Sequence, residues 1–120
     1  MSNQLPQART RAQAIADGAL FDLSHLLAAK MAWKIPMACT AAVWGIIDDA
    51  VKNHDYSLPD IIYEISVRIL RESDQQPCLN VLYVELSLVG RTHTIKAHSG
   101  PGDGSEPVLT LMLPDERVGR

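Results

Sequence analysis

No apolar run in this 120-residue chain approaches the roughly 20 residues that a membrane span needs. The opening stretch, Met1 to Gln7, is polar and has no hydrophobic segment behind it. Both absences exclude a helical span and a secretory signal, so a cytoplasmic chain with no membrane partner is expected. Cysteine is scarce as well, with only Cys39 and Cys78. A full-sized cytosolic core needs no bridge, so both are expected to be buried thiols. No CxxC, HxxxH or HExxH spacing involves the four histidines, and no metal or other cofactor is expected. A GxSxG nucleophile elbow is missing too, and no catalytic triad is assigned.

Also missing is a basic cluster. A duplex binder gathers lysines and arginines on one surface to displace counterions, and here the charge runs the other way. The net charge is −3, and residues 41–75 hold seven acidic side chains against only Lys52, Arg68 and Arg71. No direct nucleic-acid binding is expected. What remains is ordinary globular material, 47% hydrophobic and 21% charged, sufficient for one domain with a real core.

Hydropathy and punctuation divide the chain into a flexible lead (1–9), a single α+β domain (10–114) and a C-terminal tail (115–120). Thr10 with Gln13 forms a capping box and Gly18 a stop, which predicts a short helix over Arg11 to Asp17. An extended piece, Ala19 to Leu23, precedes Ser24, which can cap a second helix through Met31. Ile35-Pro36 ends that segment. Thr40 caps a third helix from Ala41 to about Asn53, with Val43, Trp44, Ile47, Ala50 and Val51 at helical spacing. Ser57-Leu58-Pro59-Asp60 opens a fourth, whose apolar line is Leu58, Ile61, Ile62, Ile65 and Ile69.

From Leu79 the period changes to two. Leu79 to Val89, Thr92 to His98 and Val108 to Leu113 read as three consecutive strands, the first two joined by a tight turn at Gly90-Arg91. The expected fold is therefore three or four helices packed on one face of a three-stranded antiparallel meander.

The Ser99 to Pro107 loop is rich in glycine and proline. A phosphate-cradling loop needs a lysine and a hydroxyl opening a helix, whereas this one carries Asp103 and Glu106 and opens a strand. It reads as a hairpin connection in which Gly100, Gly102 and Gly104 supply positive φ, or as a partner-binding loop that displays Asp103 and Glu106. On the preceding strand, Thr94, Lys96 and His98 share one face. Lys96 and His98 are accordingly the candidates for acid–base work on a phosphodiester, although a polar outer sheet face explains the same alternation. Trp44 belongs to a core stripe, while Trp33, beside Lys34 and Pro36, can serve as a protein-binding anchor or as packing under the turn.

Several of these stretches together resemble a known family: Thr10 to Gly18, Phe21 to Ser24, Ile35-Pro36 leading to Thr40 and Trp44, Lys96 to Asp103, Glu106-Pro107-Val108 and Met112-Leu113-Pro114. The chain resembles short proteins of unknown function carried on bacterial plasmids, integrative elements and phages. The similarity covers most of Thr10 to Pro114 and departs in the middle helices, which are shorter here and richer in isoleucine. The resemblance brings no established activity and no catalytic residues. It implies the company of accessory genes, among which non-enzymatic inhibitors of host defence, anti-CRISPR proteins included, are common.

The expectation is thus a non-enzymatic accessory protein, monomeric or homodimeric, that binds a protein partner such as a nucleic-acid-binding defence complex. Asp48, Asp49, Asp55, Asp60 and Glu64 would meet the lysines and arginines that otherwise hold phosphate. Two alternatives stand beside it: a small metal-independent nuclease or toxin using Lys96 and His98, and a structural partner of the replication or transfer machinery of a mobile element.

Overall fold

The computed structural model describes residues 10–24, 35–75, 80–104 and 106–116. Among them are three helices and five strands: α1 (Arg11–Asp17), β1 (Leu20–Asp22), β2 (Met37–Thr40), α2 (Ala41–His54), α3 (Leu58–Gln75), β3 (Val81–Leu88), β4 (Arg91–Pro101) and β5 (Pro107–Met112). The helix expected over His25 to Met31 lies outside the described residues, as do Trp33 and Cys78.

Local chemistry sets the helix ends. At α1, the Thr10 hydroxyl accepts from the N–H of Gln13 at 3.0 Å while the Gln13 side chain accepts from the N–H of Thr10 at 3.1 Å. Gly18, at φ 84°, closes the helix in the left-handed region, where a side chain is disfavoured. Thr40 caps α2 and Ser57 caps α3, each hydroxyl accepting from an N–H three residues on.

The sheet differs from the expected three-stranded meander. It is mixed, with strand order β1-β2-β5-β4-β3. The meander β3-β4-β5 is present, but β2 joins β5 in parallel and β1 then pairs antiparallel with β2. Of the two extra strands, β1 lies within the extended piece expected over Ala19 to Leu23, whereas β2 escapes a periodicity reading for a physical reason. Met37, Ala38 and Cys39 are all buried, because this part of the sheet is covered on both faces. A four-residue strand with both faces covered shows no alternation.

Register separates the two faces. Phe21, Cys39, Leu111, Ala97 and Leu82 align across the five strands on the face that α2 and α3 cover. There Val43, Ile47 and Ala50 of α2 and Ile61, Ile62, Ile65 and Ile69 of α3 close the core. Each fully buried isoleucine or leucine stabilises the fold by about 1.5–3 kcal/mol. Trp44 is half-buried at the rim, stacked on Phe21 with ring centroids 4.9 Å apart. Buried Ser66 donates to the carbonyl of Ile62 at 2.8 Å, so its hydroxyl is satisfied within α3.

Candidate functional site

On the opposite face, one row runs Asp22, Ala38, Thr110, His98 and Val81. Thr92, Thr94, Lys96 and His98 share this outer face, with Tyr83, Glu85 and Ser87 beside them on β3. The face is solvated only toward β3. Toward β5 and β2 it is covered, and Val108, Met112 and Ala38 are buried. Lys96 is only 8% exposed. Its Nζ donates to the carbonyls of Glu116 at 2.6 Å and Pro114 at 3.4 Å. The Glu116 carboxylate in turn accepts from the Thr40 hydroxyl at 2.7 Å and the Leu113 N–H at 2.8 Å. Lys96 therefore holds the turn that follows β5. His98, half-buried, lies along Gly100, where a Cβ would come within 2.9 Å of the ring.

The glycine-rich loop is shorter than its composition suggests, since strand pairing continues to Pro101 and Pro107. None of Gly100, Gly102 and Gly104 has positive φ, which corrects the expected reason for these glycines. Close approach explains Gly102 instead. A Cβ there would lie 2.5 Å from a Glu106 oxygen and 2.9 Å from Cγ1 of Val108. Asp103, although exposed, is engaged within the fold, accepting from the N–H groups of Arg11 and Ala12 at the start of α1. Those two hydrogen bonds, with the Arg11 charge, hold its carboxyl below the usual aspartate range. Arg11 itself reaches β5, donating to the Thr110 hydroxyl at 2.7 Å and the Leu109 carbonyl at 2.8 Å. Burial lowers its pKa, opposed by the carboxylates of Asp22, Asp103 and Glu106. Glu106 is exposed.

The acidic middle segment does not form a bare patch. Asp48 pairs with Lys52 at 3.3 Å and Glu64 with Arg68 at 2.8 Å, each within its own helix. Asp49 accepts from Asn53 at 2.7 Å and faces His54 at 3.7 Å. Adjacent positions on a helix are about 100° apart, so Asp48 and Asp49 point to different flanks of α2. Asp55 is the left-handed residue that ends α2, at φ 63°. Asp60 is exposed in the first turn of α3, where a carboxylate suits the helix dipole.

Two surface clefts contain residues that motif reasoning passed over. One, of about 370 Å³, runs between α3 and β3 and is lined by Arg68, Arg71, Glu72, Tyr83, Glu85 and Thr94. The other, of about 400 Å³, lies between α2 and the β3–β4 turn, with Gly45, Ile46, Asp49, Val89, Arg91 and His93 in its wall. Its signals in the sequence are local misfits. Val89 and Gly90 are the central residues of the hairpin at φ 52° and 74°, a conformation that favours Asn-Gly and strains a β-branched side chain. Gly45 is inside a helix, costing about 1 kcal/mol against alanine, although nothing lies within 4 Å of where its Cβ would be.

Among the described residues no group of three or more histidine, cysteine, aspartate or glutamate side chains could hold a metal ion, and no helix is long and apolar enough to cross a membrane. Compared with protein-family models, curated proteins and solved structures, the chain matches none.

Proposed function

We propose that this protein is non-enzymatic and acts by binding another protein along the open edge of its sheet. The observation that supports this reading is β3. It is eight residues long and pairs with β4 on one side, while no strand among the described residues pairs on the other. Such an edge is a template for an added strand, with backbone hydrogen bonds for affinity and side-chain sites for selectivity. Tyr83, 51% exposed, points from this strand into the cleft beside Arg71, and an exposed aromatic next to a cation is a common binding anchor. Lys96, engaged with the turn after β5, is withdrawn from the acid–base role that a nuclease would need.

The resemblance to proteins of plasmids, integrative elements and phages makes a cytoplasmic, nucleic-acid-binding host-defence component the partner we propose. The exposed α2–α3 link, with the carboxylate of Asp55, is the surface we propose for its lysines and arginines. Affinity capture from host lysate at low salt tests both halves, with Tyr83→Lys as the edge variant because an outward lysine blocks strand addition. A defence component captured by the wild type and lost by Tyr83→Lys is the expected result. Recovery of no defence component overturns the partner class, and equal capture by the variant overturns the edge.

A further inference from the structure

The cleft at the turn end of β3 combines three features that the fold itself does not require. Gly45 leaves open space on α2 where alanine would fit without contact. Val89 occupies a left-handed turn position that asparagine or glycine would take with less strain, and it is 38% exposed there. Arg91 is exposed on the same wall, with no hydrogen bond or ion pair among the described residues. Local choices that go against the fold without compensation are expected where a sequence serves binding.

The chemistry of the wall selects the ligand. Ala42, Ile46, Leu88 and Val89 are apolar, and Arg91 with His93 supplies hydrogen-bond donors and positive charge. Asp49, the one carboxylate in the wall, already accepts from Asn53 and faces His54. We infer that this cleft receives an acidic side chain flanked by aliphatic ones, carried by a partner segment that follows the β3 edge to the hairpin tip. The Arg91 guanidinium takes the carboxylate in a two-pronged contact, and the aliphatic neighbours cover Ile46 and Val89. The inference rests on the protein-binding reading above and adds to it a site that recognises charge.

The test uses the full chain and two capped peptides, acetyl-Leu-Asp-Leu-amide and its Leu-Asn-Leu counterpart, in an NMR titration at low salt. The acidic peptide is expected to shift the amides of residues 45–46 and 88–93 and to bind about tenfold more tightly than the neutral one. Arg91→Gln should make the two peptides equal. Gly45→Leu gives the sharper outcome: a better helix former built into open space should raise the melting temperature while removing the peptide shifts, a pairing that a purely structural site would not show. Equal binding of both peptides by the wild type overturns the inference, as do unchanged shifts in Gly45→Leu. Partner capture that is lost in Tyr83→Lys but unaltered in Arg91→Gln retires this cleft and leaves the edge-binding reading standing.

Discussion

Asp103 reaches across 92 positions of sequence to hold the start of α1, one carboxylate oxygen accepting from the N–H of Arg11 at 2.8 Å and the other from that of Ala12 at 3.0 Å. The helix has no fully buried residue of its own, and this clasp and the Arg11 side chain on β5 help to tie it to the sheet. Asp103→Asn should loosen α1 and lower the melting temperature. The sign with pH follows from the depressed carboxyl: the contribution is present above the ordinary aspartate value near 3.8 and is lost as pH falls through the lower folded value. Acid melts of the wild type and Asp103→Asn should therefore converge at the lowest pH. Curves that stay parallel would show that the clasp carries no stability.

The neighbouring glycines separate two kinds of crowding. Gly102→Ala places a methyl group 2.9 Å from buried Val108 as well as against Glu106, so something in the sheet must move, at a cost of about 1 kcal/mol or more. Gly104→Ala meets only the far end of the Glu106 side chain, which can swing away. Denaturant melts should show the first variant destabilised and the second close to wild type. Equal losses would show that contact with Val108 is not what destabilises Gly102→Ala, since the lower unfolded-state entropy of alanine favours folding in both variants.

These positions also show what a sequence can reveal about this molecule. The capping box of α1, the isoleucine line of α3 and the three strands after Asn80 follow short-range rules, and the structure has them within a few residues of expectation. The addition of β2 to β5 depends on contacts about seventy residues apart, as in Met37 opposite Leu109, and no local pattern encodes such a pairing. The same limit applied to the site residues. Lys96 and His98 alternate as an outer face should, but the burial of Lys96 comes from a turn that returns over the sheet. Arg91 and Gly45 belong to no motif, and only the fold brings them to one cleft.

The β3–β4 hairpin stores removable strain at Val89. Its N–H donates to the Tyr56 hydroxyl at 2.9 Å, which helps to hold the turn against the α2–α3 link. Val89→Asn, a residue suited to this φ, should stabilise the protein by about 1 kcal/mol. Tyr56→Phe should destabilise it by only about 0.5 kcal/mol, because water can replace the hydroxyl at an exposed turn. Thermal melts of both variants test the pair, and a destabilised Val89→Asn would contradict the strain argument.

Cys39 lies in the core row opposite Leu111, and burial, aided by the Glu116 charge, pushes its thiol up to about 12 from an ordinary 9.0. Because only the thiolate reacts, the folded protein at pH 8 should alkylate at Cys39 about ten-thousandfold below the rate set by full ionisation. A Cys78→Ser background isolates the signal. Folding is also favoured by keeping this thiol neutral, a contribution complete below about pH 9 and lost as pH rises toward 12. Rapid labelling of the native Cys78→Ser protein, with no lag for unfolding, would place the Cys39 thiol outside the core.

The role of Lys96 can be isolated with a cycle of variants. If its ammonium serves to hold the carbonyls of Pro114 and Glu116, Lys96→Met should cost about 1.5–3 kcal/mol, the range for hydrogen bonds to a charged group. In a chain ending at Leu113 the acceptors are gone and the ammonium can reach water, so the same substitution should then cost little. The coupling between substitution and truncation measures the contact directly, because each change alone removes the same interaction. An acid–base role predicts a different pattern, in which Lys96→Met leaves stability alone and abolishes cleavage of RNA or DNA. Melting curves of the four proteins, together with a nuclease assay of the full-length pair, decide between them: strong coupling in stability with no change in nucleic-acid cleavage identifies Lys96 as the tie that fastens the last turn to the sheet.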